Sequence, residues 1–427
     1  MKAVFGFSKK LANLRIINGV FFHYLPQLLQ GKLGIKEFIK FLKRMLLFLK
    51  SVQNNKFMVE GRRIKIGLYI PEYPSQAFFH GCDKFKVFSE KPPAITTLIS
   101  VTAACKFKCK HCYQRMDIGN EVEISKLIGA VKDMQNNGVV FFNIEGGDPF
   151  IKYDRLKSLC ESIDSRGEIW VNSTGDEITV ERLEYLKKHN LKAIMFSLHD
   201  YREEVLNEFM GREDAWEKLS KGMEMCREAG IIVAANACLM KEDFSNGKFE
   251  KLMGKAKELK VEFIQLIVPK PSGAWLGENQ YKYSKEDLKT LKEKVDRYNL
   301  DKNYREYPSI SAQALEEDEE HYGCTAGGTD RFYLNAKGDV QPCEFLNISF
   351  GNIKNENFMD IYKRMRETFD NCTSCWLCEE KAEIIYEVYK NNNISSLPLP
   401  YEYTKEICKD LRDYPKTEFY NKIRDIR

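Results

Sequence analysis

Three cysteines that lie close together in the chain, Cys105, Cys109 and Cys112, are the clearest sign of chemistry in the sequence. They form a CxxxCxxC run directly after an apolar segment that is typical of a β-strand. Three thiolates on one loop can hold three irons of a cubane iron–sulfur cluster and leave the fourth iron open to a ligand from outside the protein. The run therefore predicts a cluster with an open iron. A structural zinc site or unrelated core thiols are the alternatives, although zinc usually takes four ligands from paired CxxC knuckles.

A second group of cysteines lies in the C-terminal third of the chain. Cys324 and Cys343 are separated by thirteen residues, Gly338 and four more residues. A turn pattern at 335–338 between two short apolar runs predicts a β-hairpin that brings these two distant thiols together. A later CxxCxxC run adds Cys372, Cys375 and Cys378. The group predicts a second metal site, for which a zinc knuckle remains one interpretation.

The segments between the two groups indicate the elements that position them. From residue 95, apolar runs alternate with amphipathic helical stretches such as 125–135, 154–163, 180–188, 214–229 and 248–259. The apolar runs lie at 95–101, 139–144, 168–172, 192–198, 231–238 and 261–268. Six such units predict an α/β fold with a parallel sheet curled into a partial (β/α)6, TIM-like barrel. Ligands of such sheets gather at the carboxyl ends of the strands, where the first cysteine run begins.

Composition restricts the class of protein. With 427 residues, 43% hydrophobic and 30% charged, the chain can form a sizeable core and a well-solvated surface, and it is not of disordered composition. Its thirteen cysteines are clustered, which favours metal ligation in a reducing compartment over a disulfide framework. The expected location is therefore the cytoplasm. No apolar stretch reaches the length of a transmembrane helix.

The N-terminal segment has an unusual charge. Residues 1–63 contain thirteen lysines and arginines but only two acids, for a net charge of +11 against −7 for the rest of the chain. Apolar residues at helical spacing face away from Lys36, Lys40 and Lys43, which predicts a basic amphipathic helix lying at a membrane surface. The alternative is a helix packed on the barrel or in a dimer interface. Nucleic acid is not expected as a partner, and residues 1–60 show little strand character, which argues against a peptide-recognition domain.

Short motifs at successive predicted strand ends complete the pattern, over about residues 95–275. They are His111 within the cysteine run, Gly146-Gly147-Asp148-Pro149, Asn172-Ser173-Thr174-Gly175, Ser197-Leu198-His199-Asp200 and Pro271-Ser272-Gly273. In this order, and together with the cysteines, they resemble the motifs of the radical S-adenosylmethionine (SAM) superfamily. The resemblance implies that the cluster binds SAM and reduces it to a 5′-deoxyadenosyl radical, which abstracts hydrogen from unactivated C–H bonds.

The same resemblance implies roles for individual residues. His111 would pack on the adenine, and Gly146, Gly147 and Asp148 would bind the SAM amino group. The family usually has Glu where this chain has Asp148, so the neighbouring Glu145 is a second candidate for that contact. The remaining SAM-binding candidates, including those at the ribose, are Asn172, Ser197 and Asp200.

The C-terminal cysteines resemble the SPASM/twitch extension of radical SAM enzymes, which carries auxiliary iron–sulfur clusters. This implies at least one auxiliary 4Fe–4S cluster, with one of the five cysteines to spare. The run is shorter than in the two-cluster version, and Cys408 is a possible late ligand. Reduced ferredoxin or flavodoxin is the electron donor that the resemblance implies, and the oligomeric state is open.

The sequence thus predicts a basic helical extension at 1–63, a linker or capping segment at 64–94, a barrel at 95–300, a SPASM/twitch-like domain at 301–385 and a helical tail at 386–427. The predicted function is C–H chemistry on a membrane lipid, with coupling of hydrocarbon chains as one version, at the cytoplasmic membrane face. A maturase that oxidises or cross-links a peptide and a non-catalytic iron–sulfur or zinc scaffold are the alternatives. No general acid or base can be assigned from the sequence.

Overall fold

A computed structural model describes residues 1–278, 282–369, 374–411 and 414–426. The strands are β1 (Lys2–Val4), β2 (Phe57–Glu60), β3 (Arg63–Lys65), β4 (Thr96–Thr102), β5 (Phe141–Gly146), β6 (Glu168–Ser173), β7 (Leu191–Ser197), β8 (Ile232–Cys238), β9 (Phe263–Ile267), β10 (Ser309–Ala312), β11 (Arg331–Leu334) and β12 (Val340–Gln341). The helices are α1 (Gly6–Leu29), α2 (Ile35–Ser51), α3 (Gln76–Cys82), α4 (Ile124–Asn136), α5 (Tyr153–Ser162), α6 (Val180–Lys187), α7 (Glu203–Met210), α8 (Ala215–Glu228), α9 (Lys248–Glu258), α10 (Lys285–Leu300), α11 (Gln313–Glu316), α12 (Phe358–Thr368), α13 (Leu377–Glu380), α14 (Ala382–Asn391), α15 (Tyr401–Ile407) and α16 (Glu418–Arg424).

The main sheet has the strand order β10-β9-β8-β7-β6-β5-β4-β11-β12. Its six central strands, β4 to β9, are parallel and follow one another in sequence order, with helices between them. This confirms the predicted partial barrel. The sheet also includes strands from after residue 300. Strand β10 pairs with β9 in parallel, and β11 pairs with β4 in parallel, with Arg331 opposite Thr96. Because β10 and β12 end the sheet without pairing to each other, the barrel has an open seam between them.

Side chains alternate along the strands, and the two faces differ in chemistry. On β5, Phe142 and Ile144 belong to the apolar core beneath the helices. The opposite row, Phe141, Asn143 and Glu145, faces the barrel interior and becomes more polar toward the carboxyl end of the strand. The interior row of β5 is therefore apolar at the base of the barrel and polar at the edge where the cysteine loop begins.

The N-terminal segment closes the base of the barrel. Its three short strands form an antiparallel sheet in the order β1-β2-β3. Ala3 and Met58 from this sheet pack in one cluster with Phe141, Trp170 and Phe263 of the barrel. Helices α1 and α2 were expected from the sequence, but the strands were not, because each is only three or four residues long and β3 is mostly charged. The expected boundary at 63/64 falls within β3.

Helices α1 and α2 share a buried face and expose the opposite one. Ile16, Val20, Phe41 and Met45 lie in a core between the two helices and the small sheet. The exposed large apolar residues are Phe7, Leu11, Leu14, Phe22 and Leu29 on α1 and Ile35, Ile39 and Leu46 on α2. We call these eight residues the outer apolar stripe. No helix in the described part of the chain is both long and apolar enough to cross a membrane.

Candidate functional site

The loop that carries the first three cysteines follows β4 and is held by its backbone. The N–H of Lys108 donates to the carbonyl of Met210 at 3.0 Å, and the N–H of Lys110 donates to that of Phe209 at 3.0 Å. The loop therefore rests on the end of α7, a helix that the sequence pattern did not reveal. Gly211 ends α7 in the left-handed conformation, and a side chain there would collide with the loop backbone at Lys108.

The three thiols lie close enough to influence one another. Burial and the neighbouring thiols raise the pKa of Cys109 to about 12, and burial raises the pKa of Cys105 to about 11. A backbone donor lowers the pKa of Cys105 and so opposes the effect of burial: the N–H of Phe107 donates to its sulfur at 3.4 Å. Such N–H groups stabilise a thiolate, and bound metal removes the thiol proton outright. The donor set thus fits an iron–sulfur cluster.

The two glycines of the Gly-Gly-Asp motif allow β5 to approach the cysteine loop. A Cβ on Gly147 would lie 2.1 Å from the carbonyl oxygen of Ala104, and one on Gly146 would lie 2.2 Å from that of Thr102. The N–H groups of Gly147 and Asp148 donate to these same two carbonyls, both at 2.8 Å. The glycines therefore fix the stem of the cysteine loop.

Asp148 is buried and is fully engaged within the protein. Its carboxylate accepts hydrogen bonds from the N–H of Phe150 at 3.1 Å, the N–H of Thr174 at 2.8 Å and the hydroxyls of Ser173 and Thr174. Burial raises the pKa of Asp148 to about 6, and these donors oppose that effect. Asp148 therefore ties the end of β5 to the end of β6.

The carboxylate that faces the barrel interior is Glu145. It accepts hydrogen bonds from the hydroxyl of Tyr113, the residue after Cys112, and from the side-chain amide of Asn172 at 3.0 Å. Burial raises the pKa of Glu145 to about 8, and the nearby Glu344 adds to the rise. Asn172 thus lies at the predicted site, but it contacts a carboxylate that the sequence offered only as a second candidate.

His111 lies in an aromatic cluster at the same edge of the sheet. Its ring centroid is 4.4 Å from that of His199, 4.9 Å from Phe209 and 5.9 Å from Trp275. Burial lowers the pKa of His111 to about 4, so the ring is neutral at physiological pH. Neutral aromatic rings of this kind form a surface on which a flat heterocycle can stack.

The loop after β9 packs against the cysteine loop. The N–H of Ala274 donates to the carbonyl of Cys112 at 3.1 Å, and Gly273 adopts a φ of +56° against the backbone of Tyr113. The predicted Pro271-Ser272-Gly273 motif is thereby brought to the site.

The two candidates at the carboxyl end of β7 differ in their surroundings. Ser197 is half-buried on the interior row of the strand. Asp200 is buried and pairs with Arg202 at 3.0 Å and Lys248 at 3.2 Å. Asp200 is therefore already neutralised by two cations of the chain.

The second cysteine group meets at the seam of the barrel. Cys324, Cys343 and Cys378 line one small cavity, together with Lys270 and Trp376. The predicted hairpin of β11 and β12 lies between the first two of these cysteines. Cys375 is half-buried three residues before Cys378, and Cys372 lies outside the described residues.

The surroundings of these thiols suit metal-bound sulfur. Burial raises the pKa of Cys324 to about 11, while the N–H groups of Leu377 and Ala326 donate to its sulfur and oppose that rise. Arg331 donates to the sulfur of Cys343 at 3.7 Å. Across the described residues, no three His, Cys, Asp or Glu side chains converge as the ligands of a single ion would. Cys408 is buried near Lys381 and Asp410 in the tail.

Several residues of this region could not be found from the sequence. Arg331 is buried, forms an ion pair with Glu317 at 2.6 Å and lies 3.7 Å from Glu344. Lys270 lies 3.3 Å above the ring of Trp376 and pairs with Glu379 at 2.7 Å. They come from distant parts of the chain and follow no local motif.

Comparison with known proteins agrees with this geometry. A model of the radical SAM superfamily matches residues 99–254, and a model of an iron–sulfur cluster-binding domain, SPASM, matches residues 324–379. The chain contains a radical SAM domain followed by a SPASM domain. It is a radical SAM enzyme, and its cofactors are SAM and 4Fe–4S clusters. The prediction of a radical SAM enzyme is thereby confirmed, and the alternative of a non-catalytic scaffold is wrong.

Relatives of this radical SAM enzyme act on different substrates. The AdoMet-dependent heme synthase of Methanosarcina barkeri is 23% identical over 308 residues, which is 66% of this chain and 87% of that protein. The antilisterial bacteriocin subtilosin biosynthesis protein AlbA of Bacillus subtilis is 22% identical over 64% of this chain and 60% of that protein. The structure of Streptococcus suis SuiB bound to its precursor peptide SuiA has a TM-score of 0.52 at 20% identity, covering 63% of this chain and 64% of that one, and shows a shared fold.

Proposed function

We propose that this radical SAM enzyme abstracts hydrogen from an unactivated C–H bond of a lipid-like substrate that it meets at a membrane surface. Cys105, Cys109 and Cys112 would hold the SAM-binding cluster. An auxiliary cluster would be held by Cys324, Cys343 and Cys378, with a further ligand from the 372–375 segment. Reduced ferredoxin or flavodoxin would supply the electron.

The observation that carries the membrane proposal is the outer apolar stripe. Leu14 and Phe22 are 52% and 66% exposed on a helix whose other face packs against α2 and the small sheet. Lys10, Lys36 and Lys43 are exposed on the same two helices. Apolar side chains beside lysines suit an anionic bilayer, to which each lysine near the surface contributes about 1 kcal/mol.

The chain's own groups would bind and orient the reactants. When bound, the cluster and SAM supply a 5′-deoxyadenosyl radical. The ring cluster around His111 would hold the adenine, with Ser197 near the ribose. Since Asp148 is engaged by β6, we assign it to holding the strand ends together. Glu145 is protonated at neutral pH, given its pKa of about 8, so it can donate a hydrogen bond to a substrate oxygen without adding charge to the barrel interior.

A peptide substrate is the second candidate, and the comparisons favour it. AlbA is a bacteriocin biosynthesis protein, and SuiB binds a precursor peptide. The N-terminal unit also contains a small antiparallel sheet, which the sequence did not reveal. A peptide would need an open route to Glu145 from the carboxyl ends of the strands.

Flotation with anionic vesicles tests the membrane proposal. We expect the full-length holoenzyme to float at low salt and to release as salt screens the lysines. Leu14→Asp and Phe22→Asp should weaken flotation, whereas Ile384→Asp, at an exposed position on α14, should not. Protein that stays unbound at low salt would contradict the proposal. If 5′-deoxyadenosine formation is stimulated by a peptide fraction and not by a lipid extract, the second candidate replaces the first.

A further inference from the structure

A large cavity lies at the open seam of the barrel, away from the SAM-binding edge. Its volume is about 250 Å³, and it is enclosed by α2, residues 67–71, α10, β10 and α16. Its walls are mostly apolar. They include Met45, Phe48, Val52, Leu68, Ile70, Val295, Ile310 and Phe419. Helix α2 thus has two sides with different surroundings: Met45 lines this seam cavity, while the adjacent Leu46 belongs to the outer apolar stripe.

The inner end of the seam cavity is polar and incompletely paired. Thr96 and Arg331 line it, and they are only 2% and 8% exposed. The hydroxyl of Thr96 and the Nε of Arg331 have no hydrogen-bond partner in the described part of the chain. Buried polar atoms are nearly always paired in folded proteins, so these two indicate a polar group that completes the site.

This inner end also borders the auxiliary cysteines. Glu317 and Arg331 line both the seam cavity and the smaller cavity that contains Cys324 and Cys343. The positive charge of Arg331 is already balanced, because Glu317 lies 2.6 Å from Nη1 and Glu344 lies 3.7 Å from Nε, which is too far for a hydrogen bond. A carboxylate or phosphate would meet those two acids, whereas a neutral oxygen can accept the hydrogen bond that Nε still offers.

We propose that the seam cavity binds one hydrocarbon chain that ends in a neutral oxygen, such as a hydroxyl or an ether. The chain lies between α2, α10 and α16, and its oxygen accepts a hydrogen bond from Arg331 Nε beside the hydroxyl of Thr96. The mostly apolar walls favour an apolar guest, because binding removes its apolar surface from water. That this chain belongs to the substrate rests on the proposed function; that the cavity binds such a chain does not.

Binding of straight-chain primary alcohols to the reconstituted holoenzyme tests the proposal, with calorimetry as the measurement. Over a series from about eight to about fourteen carbons, affinity should rise about fourfold for each methylene until the cavity is full. Carboxylic acids of the same length should bind at least about tenfold more weakly. Thr96→Val, which removes the hydroxyl at nearly constant volume, should weaken alcohol binding by about two- to tenfold.

A matched pair of variants locates the site. Met45→Trp fills part of the seam cavity and should weaken binding at least about tenfold, whereas Leu46→Trp, one residue along the same helix, should leave it unchanged. An affinity that does not depend on chain length in the unmodified holoenzyme would overturn the proposal, as would equal binding by both variants. The calorimetric experiment involves neither vesicles nor turnover. Failure of membrane binding or of lipid turnover would therefore not contradict alcohol binding in the seam cavity. Failure of alcohol binding would likewise not contradict membrane binding or lipid turnover.

Discussion

Replacing Glu168 with glutamine should loosen the N-terminal unit from the base of the barrel. Glu168 and Lys65 are 2% and 1% exposed and form an ion pair at 2.5 Å. Lys65 also donates to the carbonyl of Ile70 at 2.5 Å and lies 4.8 Å from the centre of the Trp170 ring. Since Lys65 belongs to β3 and Glu168 to β6, this pair connects the small sheet to the barrel.

The loss of stability in each variant depends on which charge or hydrogen-bonding group remains buried without a partner. Removing one partner of a buried ion pair costs about 3–5 kcal/mol of unfolding free energy, because the other charge stays buried. Ile70 and the aromatic rings still stabilise Lys65 in Glu168→Gln, so we expect about 3 kcal/mol. Lys65→Met should cost a similar amount. In the double variant both charges are gone. The glutamine amide keeps only one oxygen, so either the N–H of Glu72 or the indole N–H of Trp170 loses its acceptor. We expect this loss to cost about 1–2 kcal/mol of unfolding free energy.

Equilibrium urea unfolding of the three variants, compared at equal cluster content, measures this cycle. The double variant should be at least about 2 kcal/mol more stable than the sum of the single changes implies. If the single changes prove additive, or if Glu168→Gln costs less than about 1 kcal/mol, the pair does not connect the two units as described.

The same variant should show a distinctive pH dependence. Burial lowers the pKa of Lys65, and Glu168 opposes this in the parent protein. Without Glu168 the pKa of Lys65 falls further below its unfolded value of about 10.4, so the folded state binds the proton more weakly than the unfolded state. The stability of Glu168→Gln should therefore rise with pH between the folded pKa and about 10.4. A variant whose stability falls over that range would refute the assignment.

Three further predictions concern the active site. Glu145→Gln should lower kcat/KM at least about tenfold and remove an inflection near pH 8 from the pH–rate profile, because the carboxyl of Glu145 has a pKa of about 8. Gly147→Ala should lower the iron content and SAM binding, since the new methyl would meet the carbonyl of Ala104, whereas Gly129→Ala, where the methyl meets nothing within 4 Å, should leave both unchanged. Cys343→Ser should remove about one cluster's worth of iron while 5′-deoxyadenosine is still formed, which iron analysis and chromatography can measure together.

The central barrel could be predicted because its strands are long, apolar and regularly spaced. The predicted run at 168–172 and the strand β6 at Glu168–Ser173 agree to within one residue. The strand β10 could not be predicted, since Ser309-Ile310-Ser311-Ala312 is short and half polar, and only its pairing with β9 makes it a strand. The small N-terminal sheet was missed for the same reason.

Those residues of the candidate site that belong to a short sequence motif could be predicted. The cysteine spacing and the Gly-Gly pair are such motifs, and the structure gives the glycines a definite steric reason. The roles of the acids were not predictable, because whether Asp148 or Glu145 faces the interior depends on the alternation of β5 and on donors from β6. Arg331 has no signal in the sequence at all, since its partners lie up to fourteen residues away.

Helix α2 links the two surfaces that have been assigned to apolar ligands. Its outward residue Leu46 belongs to the stripe that we assign to the bilayer, and its inward residue Met45 forms a wall of the seam cavity. A close-packed helix cannot shift one face without the other. If binding at the outer apolar stripe displaces α2, the wall of the seam cavity moves with it, and the two proposed binding events then share a coupling free energy.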